Sequence, residues 1–133
     1  MNNTHHLMLV DDDEDDREIF LSVVQSIVPE ANYTIAQNGE DALQKLNHNS
    51  VVPHLIFLDL NMPLMNGKQF LMEIKKYENL NSIPVVILST SSDQASIKDA
   101  MDLGARDFVT KPDRYSAWEQ ALKNVLNNFG IPG

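Results

Sequence analysis

The chain has no cysteine, which removes disulfides, thiolate metal sites and thiol catalysis together and fits a reducing compartment. Basic residues are scarce. Ten Lys and Arg stand against 19 Asp and Glu, a formal net charge of −9, and the pI is near 4.7. Such a surface has no electrostatic footprint for a phosphate backbone and argues against direct nucleic-acid binding. Long apolar runs are also missing: Leu7 to Val10, Leu55 to Leu58 and Ile83 to Leu88 fall far below the roughly 20 residues of a membrane helix. No charged, apolar, small-residue leader opens the chain, so a cytoplasmic protein without membrane attachment is expected. With only 5 Gly and 6 Pro in 133 residues, and 43% apolar residues, the composition is that of a folded globule rather than a disordered or fibrous chain. Residues 1–133 are expected to form a single domain.

What is present is an alternation of two periods. Short apolar runs recur as Leu7-Met8-Leu9-Val10, Tyr33-Thr34-Ile35-Ala36, Leu55-Ile56-Phe57-Leu58, Val85-Val86-Ile87-Leu88 and Phe108-Val109. Their length and near-continuous hydrophobicity suit strands buried on both faces. Helical spacing follows each of them. The first helix carries Ile19, Phe20, Val23, Val24 and Ile27 before Pro29 stops it. Asn38-Gly39 opens a second helix with Ala42, Leu43 and Leu46, and Asn66-Gly67 precedes a third with Phe70, Leu71, Ile74 and Tyr77. Ser91, Ser92 and Asp93 are capping candidates for a fourth helix, which carries Ile97, Ala100, Met101 and Leu103 and ends at Gly104. In the fifth, Tyr115, Trp118, Leu122, Val125 and Phe129 fall on one stripe. Five strands alternating with five helices predict a doubly wound α/β domain: a parallel sheet, right-handed crossovers and helices on both faces.

In such sheets ligands bind beyond the carboxyl ends of the strands. Asp11-Asp12 follows the first strand, Asp59 and Asn61 the third, Ser89 and Thr90 the fourth, and Lys111 the fifth. Carboxylates gathered at one rim repel one another unless a cation joins them. Oxygen ligands, with no Cys and no suitably spaced His, point to Mg²⁺ rather than zinc. A polar residue after a strand is often only a turn or a helix cap, and acids of the run Asp11-Asp12-Asp13-Glu14-Asp15-Asp16 complement a helix N-terminus by themselves. One or two acids suffice for that. Six in a row overload the same end with like charge, which favours a metal role for at least two of them. Lys111 is either an exposed loop lysine or a point charge placed to pair with Asp59 or a phosphoryl oxygen. Ser89 has the equivalent pair of readings, since its hydroxyl can bond a phosphoryl oxygen.

Taken in order, Leu9-Val10-Asp11-Asp12, Leu58-Asp59-Leu60-Asn61-Met62-Pro63 with Asn66-Gly67, Ser89-Thr90 and Thr110-Lys111-Pro112 resemble the receiver domain of two-component response regulators over essentially the whole chain. The resemblance implies a flavodoxin-like, five-stranded parallel sheet in the order 2-1-3-4-5 flanked by five helices. It also implies phosphoryl transfer from a histidine kinase or phosphotransfer protein to Asp59. By the same resemblance Asp11 and Asp12 hold Mg²⁺ with Asp59, and Asn61 lends its backbone carbonyl. Ser89 bonds the incoming phosphoryl group, Lys111 pairs with it, and Phe108 is the aromatic switch residue. Departures from the family pattern are Phe108 where Tyr is frequent, Thr90 where a smaller Ala is common, and Asp113-Arg114 after the proline. None removes a chemical group of the site.

Only 22 residues follow Lys111, so no effector domain is expected and the output is expected through protein contact at the fourth helix, fifth strand and fifth helix. Such a receiver is a signalling protein that catalyses its own phosphoryl transfer and slow dephosphorylation. The stripe on the last helix packs onto the sheet or, alternatively, forms the seam of a homodimer, with Ala121 and Leu126 widening it. His5, His6, His48 and His54 have no ligand spacing with the acids and read as surface or strand-edge residues. Two other functions compete. In a small Mg²⁺-dependent phosphatase of the haloacid dehalogenase type, Asp11 is the nucleophile and Asp13 the acid/base, which leaves the segment around Asp59 unexplained. A docking receiver independent of phosphorylation is the other, although such forms usually lack one of the chemical residues.

Overall fold

The computed structural model describes residues 5–48, 52–60, 62, 65–89 and 94–131. Along the chain β1 (His6–Val10), α1 (Glu14–Ile27), β2 (Asn32–Ala36), α2 (Gly39–His48), β3 (Leu55–Asp59), α3 (Gly67–Ile74), β4 (Val85–Ser89), α4 (Gln94–Asp102), β5 (Asp107–Thr110) and α5 (Tyr115–Asn128) alternate strictly. The strands form one sheet in the order β2-β1-β3-β4-β5, and every neighbouring pair is parallel. This is the doubly wound arrangement that the alternation predicts.

Side-chain alternation along the strands divides the core into two halves. Leu7, Leu9, Leu55, Phe57, Val86, Leu88 and Val109 face the layer of α1 and α5, against Phe20, Val24, Trp118, Leu122 and Leu126. Met8, Val10, Ile56, Leu58, Val85 and Ile87 face the layer of α2, α3 and α4, against Ala42, Phe70, Leu71 and Ala100. Phe20 and Phe57 meet edge to face with centroids 4.9 Å apart. The stripe on α5 is spent mainly on this packing. Trp118, Leu122, Val125 and the widening residue Leu126 are all buried, whereas Tyr115 lies at its exposed end and hydrogen-bonds the hydroxyl of Ser22 on α1 at 2.6 Å.

Local chemistry sets the helix ends. Asp13 caps α1, its side chain accepting the Asp16 N–H. Asn38 accepts the Asp41 N–H at 2.8 Å ahead of α2, and Asn66 and Gln69 form a capping box on α3. Gly104, with φ +110°, turns the chain after α4. One expectation fails here: α3 stops at Ile74, so Tyr77 is not on its apolar face but exposed. The chain turns at Lys75 and Lys76, and Leu80 takes the buried place. The capping candidates Ser91, Ser92 and Asp93 lie outside the described residues, as do Asn61, Pro63 and Thr90.

The histidines sit at the amino end of the sheet, away from the strand-end acids. His6 Nε2 lies 2.6 Å from Thr34 Oγ1, and the His6 N–H donates to His54 Nδ1 at 3.0 Å. Burial, followed by the neighbouring His54, lowers the His6 pKa. The side chain of His48 is outside the described residues. No described helix is long and apolar enough to cross a membrane.

At the other end of the sheet the first turn of α3 comes tight against the end of β3. A Cβ on Gly67 would stand 2.8 Å from the Asp59 carbonyl oxygen and from Leu60 Cα, and the Gly67 N–H donates to the Leu60 carbonyl at 3.1 Å. Gly67 is therefore a close-approach glycine. Gly67→Ala is expected to cost about 1–3 kcal/mol by overpacking against backbone, read as a lower urea midpoint with an unchanged m-value.

Candidate functional site

The strand ends gather their polar side chains because the backbone ladder runs into them. The Asp11 N–H donates to the Ala36 carbonyl at 3.1 Å, and the Lys111 N–H to the Ser89 carbonyl at 2.7 Å. Each of these residues is thus held in register one step past its strand. Among the described residues the polar or charged residues that are buried as a whole are Asp11, Asp59 and Ser89, which are 0%, 4% and 2% exposed. All three lie at carboxyl ends of strands, where the helix layers leave a cleft rather than a packed face.

Asp11, Asp12 and Asp59 each offer a carboxylate oxygen, and these oxygens lie within 4.8 Å of one another. Two of the acids are buried and Asp12 is exposed, so the group has a solvent side. Asp11 Oδ1 accepts the Asp13 N–H at 3.0 Å, and the Asp11 carbonyl accepts from the Arg17 guanidinium at 3.1 Å. Asp11 Oδ2 is buried without a hydrogen-bond partner; its neighbour is the Lys111 ammonium at 2.9 Å, a charge contact without hydrogen-bond direction. A buried carboxylate oxygen that no hydrogen bond satisfies, in an all-oxygen donor set, fits a hard divalent cation. The three acids can hold one.

Lys111 is the counter-charge. Its side chain is 6% exposed, and Nζ lies 2.8 Å from Asp16 Oδ2, 2.9 Å from Asp11 Oδ2 and 3.7 Å from Asp59 Oδ2. Burial works against its ammonium, but the contacts to Asp16 and Asp11 and the charge of Asp59 outweigh it and raise the pKa above the ordinary lysine value. The lysine is fixed in its charged form. For Asp11 burial wins instead: desolvation raises its pKa despite the Asp13 N–H and the Lys111 charge.

Of the residues expected at the site from sequence, Asp11, Asp12, Asp59 and Lys111 come together; Ser89 ends β4 and meets Lys111 through the backbone, and Asn61 lies outside the described residues. Phe108 is on the edge strand β5, 45% exposed, and pairs in register with Ile87. Two contacts at the site are not legible from the sequence. Asp16 contacts Lys111 more closely than Asp59 does, although nothing but its membership of the acid run singles it out. Gly67 reads as a turn residue from sequence, and its contact with the Asp59 backbone exists only in the fold. Asp13, the acid/base of the phosphatase reading, caps α1 with its side chain, and Asp11 is fully buried against Lys111. That reading is not favoured.

A parallel α/β sheet whose carboxyl edge collects buried acids, a serine and a lysine defines a phosphoacceptor signalling domain. Residues 7–123 match the family model of the response regulator receiver domain, and the chain belongs to that family. It is 33% identical over 121 residues to the two-component response regulator ORR3 of Oryza sativa subsp. indica, covering 91% of this chain and 90% of that protein. With chemotaxis protein CheY of Thermotoga maritima it shares 30% over 114 residues, 84% and 92% of the two chains. A 52% identity over 79 residues links it to a protein-glutamate methylesterase/protein-glutamine glutaminase of Treponema denticola, 58% of this chain but only 20% of that protein. Among solved structures, the phosphorylated cyanobacterial phytochrome response regulator RcpA superposes with a TM-score of 0.87 at 29% identity over 95% of this chain and 94% of that one. The Mn²⁺-bound form of response regulator Rcp1 superposes at 0.82 with 27% identity, covering 92% of each.

The raised pKa of Asp11 carries a stability consequence whose sign is definite. Because the folded-state value lies above the ordinary 3.8, the unfolded chain releases this proton first, and stability falls as pH rises through the folded-state pKa. Asp11→Asn, which cannot ionise, is therefore expected to raise the stability of the metal-free protein at neutral pH relative to the parent, with the gain fading below the unfolded-state value. Thermal unfolding at pH 7 and pH 3.5 measures it, and equal shifts at the two pH values would refute it.

Proposed function

We propose that Asp59 is the phosphoacceptor of this receiver, charged by a histidine kinase or phosphotransfer protein, and that the cation held by Asp11, Asp12 and Asp59 is Mg²⁺. The observation that carries this is the placement of a nearly buried Asp59 carboxylate between a cluster of acids and the ammonium of Lys111, 3.7 Å away. In this reading Asn61, which lies outside the described residues, would add its backbone carbonyl as a further ligand. Mg²⁺, when bound, supplies charge neutralisation for the carboxylates and the phosphoryl oxygens.

The chain's own groups account for the rest. Asp59 Oδ attacks phosphorus, the P–N bond to the donor imidazole breaks, an O–P bond forms, and the imidazole leaves with its electron pair. Lys111 donates hydrogen bonds to the phosphoryl oxygens, and Ser89, 2% exposed at the end of β4, turns its hydroxyl to a third. Both are held by one backbone contact, since the Lys111 N–H rests on the Ser89 carbonyl. The acyl phosphate adds charge and acceptor oxygens at that point. Drawing Ser89 toward the phosphoryl group vacates space beside β5, and Phe108 moves from its exposed position toward it. With no hydroxyl on Phe108, packing alone separates the two rotamers. The output surface in this reading is α4, β5 and α5, where Met101, Phe108 and Tyr115 are exposed large hydrophobic residues. The chain acts in the cytoplasm by protein contact.

Incubation with Mg²⁺ and a small acyl-phosphate donor should give a single phosphoryl adduct by intact mass. The adduct is absent from Asp59→Asn and from a chelated sample. Phe108→Ala takes up the phosphoryl group to the same extent as the parent protein, because its side chain is on the readout path and not on the chemistry. Donor turnover that survives in Asp59→Asn would instead support the phosphatase reading, with Asp11 as nucleophile.

A further inference from the structure

Within the acid run, Asp16 has a partner that helix capping does not require. Its Oδ2 lies 2.8 Å from Lys111 Nζ, the closest of that ammonium's three carboxylate contacts, whereas Asp59 is the most distant at 3.7 Å. We propose that Asp16 holds Lys111 in the unphosphorylated protein and competes with the phosphoryl group for it, so that it sets how readily Asp59 is phosphorylated. Asp16 is a positioning residue acting through Lys111, and the proposal rests on the reading of Asp59 as the acceptor.

Of the ammonium's three carboxylate contacts, the one to Asp16 is a directed hydrogen bond, Asp11 is a close charge contact and Asp59, at 3.7 Å, is beyond hydrogen-bond distance. A phosphoryl oxygen on Asp59 that recruits Lys111 must draw the ammonium toward itself and lengthen the contact to Asp16 or to Asp11. Asp11 is the expensive choice, because its side chain is 1% exposed and cannot regain water on release. The Asp16 side chain is 24% exposed and can be rehydrated. It is the contact that yields. Both backbones are fixed while this happens: the Asp16 N–H donates to Asp13 Oδ1 at 3.0 Å in the first turn of α1, and the Lys111 N–H donates to the Ser89 carbonyl at 2.7 Å. The exchange is therefore a movement of the lysine side chain from one oxygen to another. The charge works in the same direction, since Asp16 is a further carboxylate at a site that must accept the roughly −1.5 to −2 charge of a phosphoryl group.

Asp15 separates this role from a general effect of acids at a helix N-terminus. It lies in the same turn, is exposed, and makes none of the Lys111 ion pairs. The test compares Asp16→Asn, Asp15→Asn and Asp16→Glu with the parent protein, following phosphoryl incorporation from a limiting small acyl-phosphate donor with Mg²⁺ by intact mass. Hydrogen exchange of the Lys111 ammonium is read in parallel by NMR without Mg²⁺ or donor. Asp16→Asn is expected to be phosphorylated about threefold to tenfold faster, in line with the loss of one charge-assisted hydrogen bond at a partly exposed site, and to exchange the ammonium protons faster. Asp15→Asn should stay within about twofold of the parent, and Asp16→Glu, which keeps the charge within reach, should restore slow exchange. Equal acceleration in both Asn variants, unchanged ammonium exchange in Asp16→Asn, or slower phosphorylation of that variant would each overturn the proposal. Absence of any adduct in the parent protein would remove the Asp59 reading and this one with it. Faster ammonium exchange in Asp16→Asn would in that case still show that Asp16 holds the lysine.

Discussion

One ammonium partly offsets the charge gathered at the carboxyl edge of this sheet. Lys111 lies within ion-pair distance of Asp11, Asp16 and Asp59, and two of those carboxylates have almost no access to solvent. Removing such charges from water costs several kcal/mol each unless they are compensated. The strands exist in this arrangement because their apolar faces are covered on both sides, and that coverage is what buries the acids. Core packing and site electrostatics are thus one problem, solved by continuing the β4–β5 ladder one residue past Ser89 to Lys111.

The same constraint explains why the site is poised. A fully neutralised cluster would have no affinity for a cation, and an uncompensated one would destabilise the fold. Here the charges are matched in part: Asp11 retains a buried oxygen with no hydrogen bond and a pKa raised by burial, while Asp12 stays exposed. Stability has been given up at the point where ligand binding can return it, a pattern expected of functional sites. Gly67 belongs to the same economy of space, because the start of α3 can approach the Asp59 backbone only without a Cβ.

Much of the architecture is legible from the residues alone. Period-two burial on β1, with Leu7 and Leu9 on one face and Met8 and Val10 on the other, follows from a continuous apolar run that can be satisfied only by helices on both sides. Strand ends extended beyond the apolar residues, as at Asp59, Ser89 and Thr110, because the ladder is made by backbone and does not stop where hydrophobicity does. The end of α3 was not legible. No Gly or Pro marks the turn at Lys75 and Lys76, and the burial of Leu80 rather than Tyr77 is decided by what the sheet presents to that segment.

By itself the sequence determined the class of the protein and the identity of its chemical groups: the apolar periods dictate a doubly wound sheet, and the residues after each run dictate acids, a hydroxyl and an amine at its carboxyl edge. Only the tertiary structure decided how those groups pair. Asp16 and Lys111 are 95 positions apart in the chain and meet because α1 begins beside β1 while β5 ends at the same edge of the sheet, with β3 and β4 between them. Distances of a few ångströms between charges set their energies, and these distances come from the order of strands and the crossovers between them. Local spacing carries no record of them.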